Sequence, residues 1–252
     1  MLQSIALVVA YDGTNYCGWQ SQTNGLSVQE AIEKACKEKF KHKVTVRGCS
    51  RTDAGVHAEH QVVAIQVDTD ILVEKIPFVL NSSLPDDIVV KSAKYVLLDF
   101  HPIRDAKYKI YRYSILNTDI RVPKMMRYVA YYYKALDIRL MRQAAKFMIG
   151  THDFKAFCSS EKATKTTVRT IYDIQIKREK NNIINIYVKG NGFLHHMVRI
   201  IAGTLIRVGE KTIDKNEIKN IIDSLERKNA GPTAVAGGLT LEYVSYDDIV
   251  HS

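Results

Sequence analysis

Long uncharged apolar runs are missing from this 252-residue sequence. No stretch approaches the roughly 18 apolar residues that a membrane-spanning helix needs, so no membrane span is expected. Cysteine is sparse. Cys17, Cys36, Cys49 and Cys158 are scattered with no C-x-x-C pair, which argues against a zinc knuckle or a redox dithiol and fits the reduced thiols of a cytoplasmic protein. Met1 to Ala6 carries no basic residue ahead of an apolar run, so no signal peptide is expected. Low-complexity tracts are absent. So are the phosphate-cradling G-x-x-x-x-G-K-[ST], the dinucleotide G-x-G-x-x-G, the zinc-binding H-E-x-x-H and the G-x-S-x-G elbow. Neither a nucleotide cofactor nor zinc-protease chemistry is therefore expected.

What is present is a chain able to bury a core, with 46% hydrophobic residues, and a basic one. Lys and Arg number 36 against 27 Asp and Glu, a formal net charge of +9 and a pI near 9.2. That balance suits a polyanionic partner, nucleic acid being the commonest, although solubility alone would also account for it.

Periodicity predicts alternating strands and helices. Ser4 to Ala10 is an apolar, β-branched run ending in the turn signal Tyr11-Asp12-Gly13. Ser27 with Glu30 forms a capping box, and Val28, Ala31, Ile32, Ala35 and Cys36 keep helical spacing behind it. Lys43 to Arg47 and Gln61 to Val67 read as strands, Leu72 to Leu80 as a short helix with Pro77 near its start, and Asp87 to Val96 as a strand. The order β-α-β-β-α-β is that of a ferredoxin-like unit. The second half reads similarly. Strands are predicted at Tyr108 to Leu116 and Arg127 to Tyr133, and a helix capped by Asp137 should run to Ile149 and end at Gly150. A hairpin of Arg169 to Lys177 and Ile183 to Lys189 should turn at Asn181-Asn182. A helix from Phe193 to Val208 should stop at Gly209, a helix capped by Asp214 should follow, and Leu239 to Tyr246 should close the chain as a strand. The expected class is α+β, with an N-terminal domain over 1–103 and a C-terminal one over 104–252.

The densest chemistry lies in Gly48 to His60, which holds Arg51, Asp53, His57, Glu59 and His60 among small residues between two strands. Long loops on a rigid scaffold are where sites tend to lie. The same residues also suit an ordinary turn in which Asp53 accepts backbone N–H groups. In Lys107 to Tyr113, strand parity puts Ile110, Arg112 and Ser114 on one face and Tyr111 and Tyr113 on the other. Tyr beside Lys and Arg is what single-stranded RNA recognition uses, and equally what an amphipathic strand contains. Asn191 to Arg199 reads as a helix start, with His195 and His196 more often packing residues than ligands.

Taken together the motifs resemble the TruA-type tRNA pseudouridine synthases. Ser50-Arg51-Thr52-Asp53-Ala54-Gly55-Val56-His57-Ala58 resembles the active-site motif of that family. Tyr11-Asp12-Gly13 with Gly18-Trp19-Gln20 and Val28-Gln29, then Tyr111-Arg112-Tyr113, Gly150 to Phe154, Val168 to Ile171, Asn191 to Arg199 and Gly231 to Ala234 follow in family order along essentially the whole chain. The resemblance implies two ferredoxin-like, RRM-like halves whose sheets join around a central basic cleft. It also implies a homodimer that grips one tRNA with both subunits, and isomerisation of uridines at tRNA positions 38 to 40 without cofactor or metal. It makes Asp53 the nucleophile, attacking C1′ or C6 or assisting a glycal route. Arg51 is its cationic neighbour and Tyr111 the tyrosine that stacks on the flipped uracil. Arg199, Lys165 and Arg169 become RNA-facing bases, with His57 also on the substrate side and Leu239 lining the base pocket. Two positions depart from the family pattern: Ile103, with Arg104 one place later, where Arg is usual, and Val235 where a second Pro is common. Three rival readings stand beside this one. They are the same chemistry on another RNA, an RNA-binding module without chemistry, and a metal-dependent hydrolase built on Asp53, His57 and His60.

Overall fold

The computed structural model describes residues 2–23, 25–160 and 165–247. Its strands and helices are, in chain order, β1 (Leu2–Tyr11), α1 (Val28–Phe40), β2 (Val46–Gly48), β3 (His57–Asp68), α2 (Ile76–Asn81), β4 (Ile88–Val96), β5 (Tyr108–Asn117), β6 (Ala130–Tyr132), α3 (Ile138–Lys146), β7 (Gly150–Asp153), β8 (Val168–Arg178), β9 (Ile183–Gly190), α4 (Met197–Gly209), α5 (Glu217–Ser224) and β10 (Leu239–Ser245). The class is α+β, as the sequence predicts. The chain divides into two compact units, 1–107 with 240–252, and 108–239. The closing strand thus returns to the first unit.

In the first unit the sheet order is β4-β1-β3, with β2 antiparallel on β3 and β10 parallel to it. Pairing of Ile5 with Ile65 and Leu7 with Val63 puts β-branched and Leu side chains opposite one another in the core. Ser27 caps α1 as its sequence predicts, its hydroxyl accepting from Glu30 N at 3.1 Å, and Val28, Ala31, Ile32, Ala35 and Cys36 are buried. Cys17, Cys36, Cys49 and Cys158 form no disulfide. Burial, reinforced by Glu33, pushes the Cys36 thiol up to about 12. Pro77 sits in the first turn of α2, where its missing N–H has no helical partner to lose. The predicted strand at Lys43 to Arg47 shrinks to Val46–Gly48.

The second unit carries the antiparallel order β5-β9-β8-β7, with β6 parallel to β5. The β8–β9 hairpin turns at Asn181 and Asn182, both left-handed (φ 58° and 60°), a conformation Asn tolerates better than most residues. Asp137 Oδ1 caps α3 at Arg139 N and Leu140 N. Four boundaries differ from expectation. Only Ala130–Tyr132 of the Arg127 to Tyr133 run is strand. The helix α3 ends at Lys146, and Gly150 opens β7, which alternation did not reveal. The helix α4 starts at Met197 because His196 is left-handed (φ 60°), while its end at Gly209 is where the sequence predicts. Asp214 accepts from Asn216 N ahead of α5 instead of capping it.

A polar cluster ties β6 to the end of α4. The Glu210 side chain is 2% exposed and accepts from the Tyr132 hydroxyl, Arg207 Nη1 and, at 2.9 Å, the Thr212 hydroxyl. Burial opposes ionisation of Glu210, but these bonds outweigh it and lower its pKa to about 2 from 4.5. A depressed carboxylate contributes stability that is complete above the unfolded value and lost as pH falls through the folded one. Glu210→Gln should therefore cost about 1–2 kcal/mol at neutral pH, the full linkage value being discounted because Arg207 is half exposed. In urea titrations the gap between Glu210→Gln and the parent should close as pH falls from about 4.5 toward about 2. A gap that does not change with pH would leave the carboxylate without this role.

Candidate active site

Asp53 lies in the link between β2 and β3, and that link is tied down along its length. Cys49 N donates to Val62 O at 2.8 Å. The fully buried Gln61 then reaches Ser50 with both ends of its amide: Ser50 N donates to Oε1 at 3.1 Å, and Nε2 donates to Ser50 O at 2.6 Å. Thr52 is held twice, its carbonyl accepting from Trp19 N at 3.0 Å and its hydroxyl lying 2.7 Å from the Tyr11 hydroxyl. A turn closes behind Asp53, with Val56 N donating to Asp53 O at 3.1 Å and Gly55 left-handed at φ 76°. Arg51 is exposed and Asp53 half-buried.

Two glycines allow this approach. A Cβ on Gly13 would sit 2.0 Å from Val56 O. Gly18, at φ 109°, would bring one within 2.7 Å of Thr52 O and 3.2 Å of Ala54 N. Only a residue without a side chain fits either place. The Tyr11-Asp12-Gly13 and Gly18-Trp19 segments therefore form the seat of the Asp53 turn, a role their sequence positions do not disclose.

His57 is buried. Its Nδ1 is 3.1 Å from both Gly13 N and Asp12 Oδ1, so this nitrogen accepts from the first or donates to the second, one at a time. His60 packs its ring against Tyr243, with centroids 4.6 Å apart. Residues three apart on a strand point to opposite faces, which works against joint ligation of one metal by His57 and His60.

In the second unit, parity on β5 is as predicted. Tyr111 and Tyr113 are buried, while Arg112 Nη1 donates to Ser114 Oγ at 2.8 Å, and Ser114 Oγ to Asn185 Oδ1 at 2.7 Å, on the other face. Phe193 meets the Tyr111 ring edge-on, with centroids 5.3 Å apart and planes at 89°. Such T-shaped pairs are favourable and fix ring orientation. Phe193 lies in the Asn191 to Arg199 segment that the sequence singles out, but its contact with Tyr111 is not readable there. Burial raises the Tyr113 pKa, and its hydroxyl donates to Val235 O at 2.9 Å.

Val235 belongs to a loop bound to α4. Arg199 Nε donates to Ala234 O at 2.8 Å, Ala234 N to Arg199 O at 3.2 Å, and Gly231 N to Thr204 Oγ1 at 2.9 Å. Arg227, which sequence reading passed over, donates from Nη1 to Gly231 O and from Nη2 to Thr233 Oγ1 at 2.9 and 3.1 Å. Arg169 Nη1 donates to Thr166 O and Val168 O, and burial lowers its pKa. Lys165 is exposed and Leu239 buried. The two departures fall on solvent-facing positions: Ile103 is 49% exposed and Val235 60%. Arg104 does not take up a strand position. It closes a turn, donating from Nε to Asp105 Oδ1 at 2.7 Å and from Nη2 to Asp99 O at 2.9 Å.

The sequence pattern of tRNA pseudouridine synthases matches residues 7–103 and 144–247. The chain belongs to this family. It is 46% identical over 97% of its length to the whole of the tRNA pseudouridine synthase A of Clostridium acetobutylicum. To the enzyme of the same name from Acetivibrio thermocellus it is 45% identical, again over 97% of this chain and all of the other. A Cbf5-Nop10-Gar1 complex shows a faint structural likeness, with 12% identity and a TM-score of 0.34 over 80% of this chain and 45% of that one. So distant a likeness bears on neither the site nor the reaction. Pseudouridine synthases are isomerases, and among the described residues no helix is long and apolar enough to cross a membrane.

Proposed function

We propose that this enzyme isomerises uridine to pseudouridine in the anticodon arm of tRNA, at positions 38 to 40, with Asp53 as nucleophile and no cofactor. The observation that carries the reading is the Asp53 turn itself: a half-buried carboxylate beside exposed Arg51, on a loop fixed from both sides. The reaction breaks the N-glycosidic bond, rotates the uracil and rejoins it through C5. Nothing is oxidised and no group is imported, so a positioned carboxylate, a ring to hold the base and bases to hold phosphate suffice. The uridine must first leave its stack, at a cost of a few kcal/mol. Arg51 fills the gap left by the flipped nucleotide. Tyr111, propped by Phe193, stacks on the uracil. Arg199, Lys165 and Arg169 meet the RNA, and Leu239 borders the base. The finer architecture proposed, two ferredoxin-like halves around a basic cleft in a homodimeric, cytoplasmic enzyme, rests on the family resemblance.

Purified protein incubated with unmodified tRNA transcripts, followed by site mapping of pseudouridine, tests the reading. Product at positions 38 to 40 is expected. Product only elsewhere in tRNA would retain the chemistry and overturn the target.

Tyr111→Phe keeps the ring and the Phe193 contact but removes the hydroxyl. If that hydroxyl handles the C5 proton, single-turnover conversion should fall by about 10²-fold with tRNA affinity little changed. Equal rates for Tyr and Phe would leave stacking as the whole contribution.

A further inference from the structure

The Asp53 turn carries more restraint than folding a surface connection requires. Main-chain groups of Ser50, Thr52 and Asp53, with the Thr52 hydroxyl, are bonded within the link and to the surrounding strands and turns. Arg51, between the two anchored residues, is left pointing outward. Gln61 is 0% exposed, so its amide could not stay in the core without partners, and both of its ends are given to Ser50. Tyr11 is 5% exposed and sets its hydroxyl on Thr52. These anchors come from two different strands, β3 and β1, that are paired with each other over eight residues or more. A shift of the link relative to the sheet would break both.

We infer that Gln61 and Tyr11 are positioning residues for the isomerisation. By fixing Ser50 and Thr52 on either side of Arg51, they set the backbone from which the Asp53 carboxylate and the Arg51 guanidinium project. The inference rests on the assignment of catalysis to Asp53. Misplacement of a reacting group by about 1 Å can cost about 10²-fold in rate without loss of binding, so the effect should fall on the chemical step.

Two variants test it. Gln61→Glu keeps the shape and the acceptor facing Ser50 N but, when ionised, sets an acceptor against Ser50 O. Tyr11→Phe deletes one hydroxyl and keeps the ring that packs 6.1 Å from Trp19. Single-turnover conversion of prebound tRNA, tRNA affinity and the thermal midpoint are measured for each, with Asp53→Asn alongside. The expected result is a rate reduced about 30-fold for Gln61→Glu and about 5-fold for Tyr11→Phe, with affinity within twofold of the parent. A merely structural role would lower the midpoint and leave the rate per folded molecule unchanged, and that outcome in both variants overturns the inference. Should Gln61→Glu fail to fold, Tyr11→Phe decides alone by the same criterion. If Asp53→Asn still turns over, the Asp53 assignment falls. If Asp53→Asn is inactive while both other variants run at the parent rate, only the positioning role falls.

Discussion

Asp53→Asn should abolish pseudouridine formation, lowering the single-turnover rate by about 10³-fold or more. The substitution exchanges one carboxylate oxygen for an amide nitrogen, so volume and side-chain shape are nearly kept. Several restraints on the turn are carried by other groups. Val56 N donates to the Asp53 main-chain oxygen, Gln61 grips Ser50, and Trp19 and Tyr11 grip Thr52. None of these uses the Asp53 carboxylate, so the folded turn and the RNA surface around it should persist. Affinity for tRNA should stay within a few-fold and the thermal midpoint within a few degrees. The amide is a poor nucleophile and carries no charge to stabilise a developing oxocarbenium, so loss should appear in the rate alone. A variant that still converts uridine at a tenth of the parent rate would remove Asp53 from the chemistry.

Much of this site was legible because its signals are local. A segment rich in small residues that holds two acids, a base and two histidines is unusual between predicted strands, and the order of motifs along the chain resembles one family. The helix caps Ser27 and Asp137 were readable for the same reason, since a cap bonds a backbone N–H only two or three residues away. The parity of Tyr111 and Arg112 followed from strand geometry alone. What stayed hidden depends on partners far along the chain. Gly13 and Gly18 lie 43 and 34 residues from Val56 and Thr52, which they admit. Gln61 reads as one more polar residue of a strand until Ser50 is seen against it. The strand β7 was missed because Gly-Thr-His-Asp shows no apolar alternation, and it is strand only through pairing with β8. The late start of α4 was missed because nothing in Phe193-Leu194-His195-His196 announces a left-handed His196. Propensity favours helix there, and the turn through Met197 N to Leu194 O overrides it.

Raising salt should weaken tRNA binding far more than it slows conversion of bound tRNA. The chain carries nine more basic than acidic charges, and the proposal brings exposed Arg51 and Lys165, with Arg169 and Arg199, to the polyanionic RNA. Each phosphate contact releases condensed counterions, so the logarithm of affinity falls linearly with the logarithm of salt. About four contacts imply a loss of about 10²-fold between 50 and 200 mM monovalent salt, at a slope near −0.9 per phosphate neutralised. Lys165→Gln removes one exposed charge without touching a described core residue, and should flatten that slope by about one unit. Once RNA is seated, short-range interactions at Asp53 are shielded from bulk ions, so the single-turnover rate at saturating enzyme should change little over the same range. Binding isotherms at several salt concentrations, paired with single-turnover assays, separate the two effects. An affinity indifferent to salt would show that the basic excess serves solubility rather than RNA. A slope unchanged by Lys165→Gln, with the parent still steep, would move the phosphate contacts to other bases and leave the electrostatic mode of binding intact.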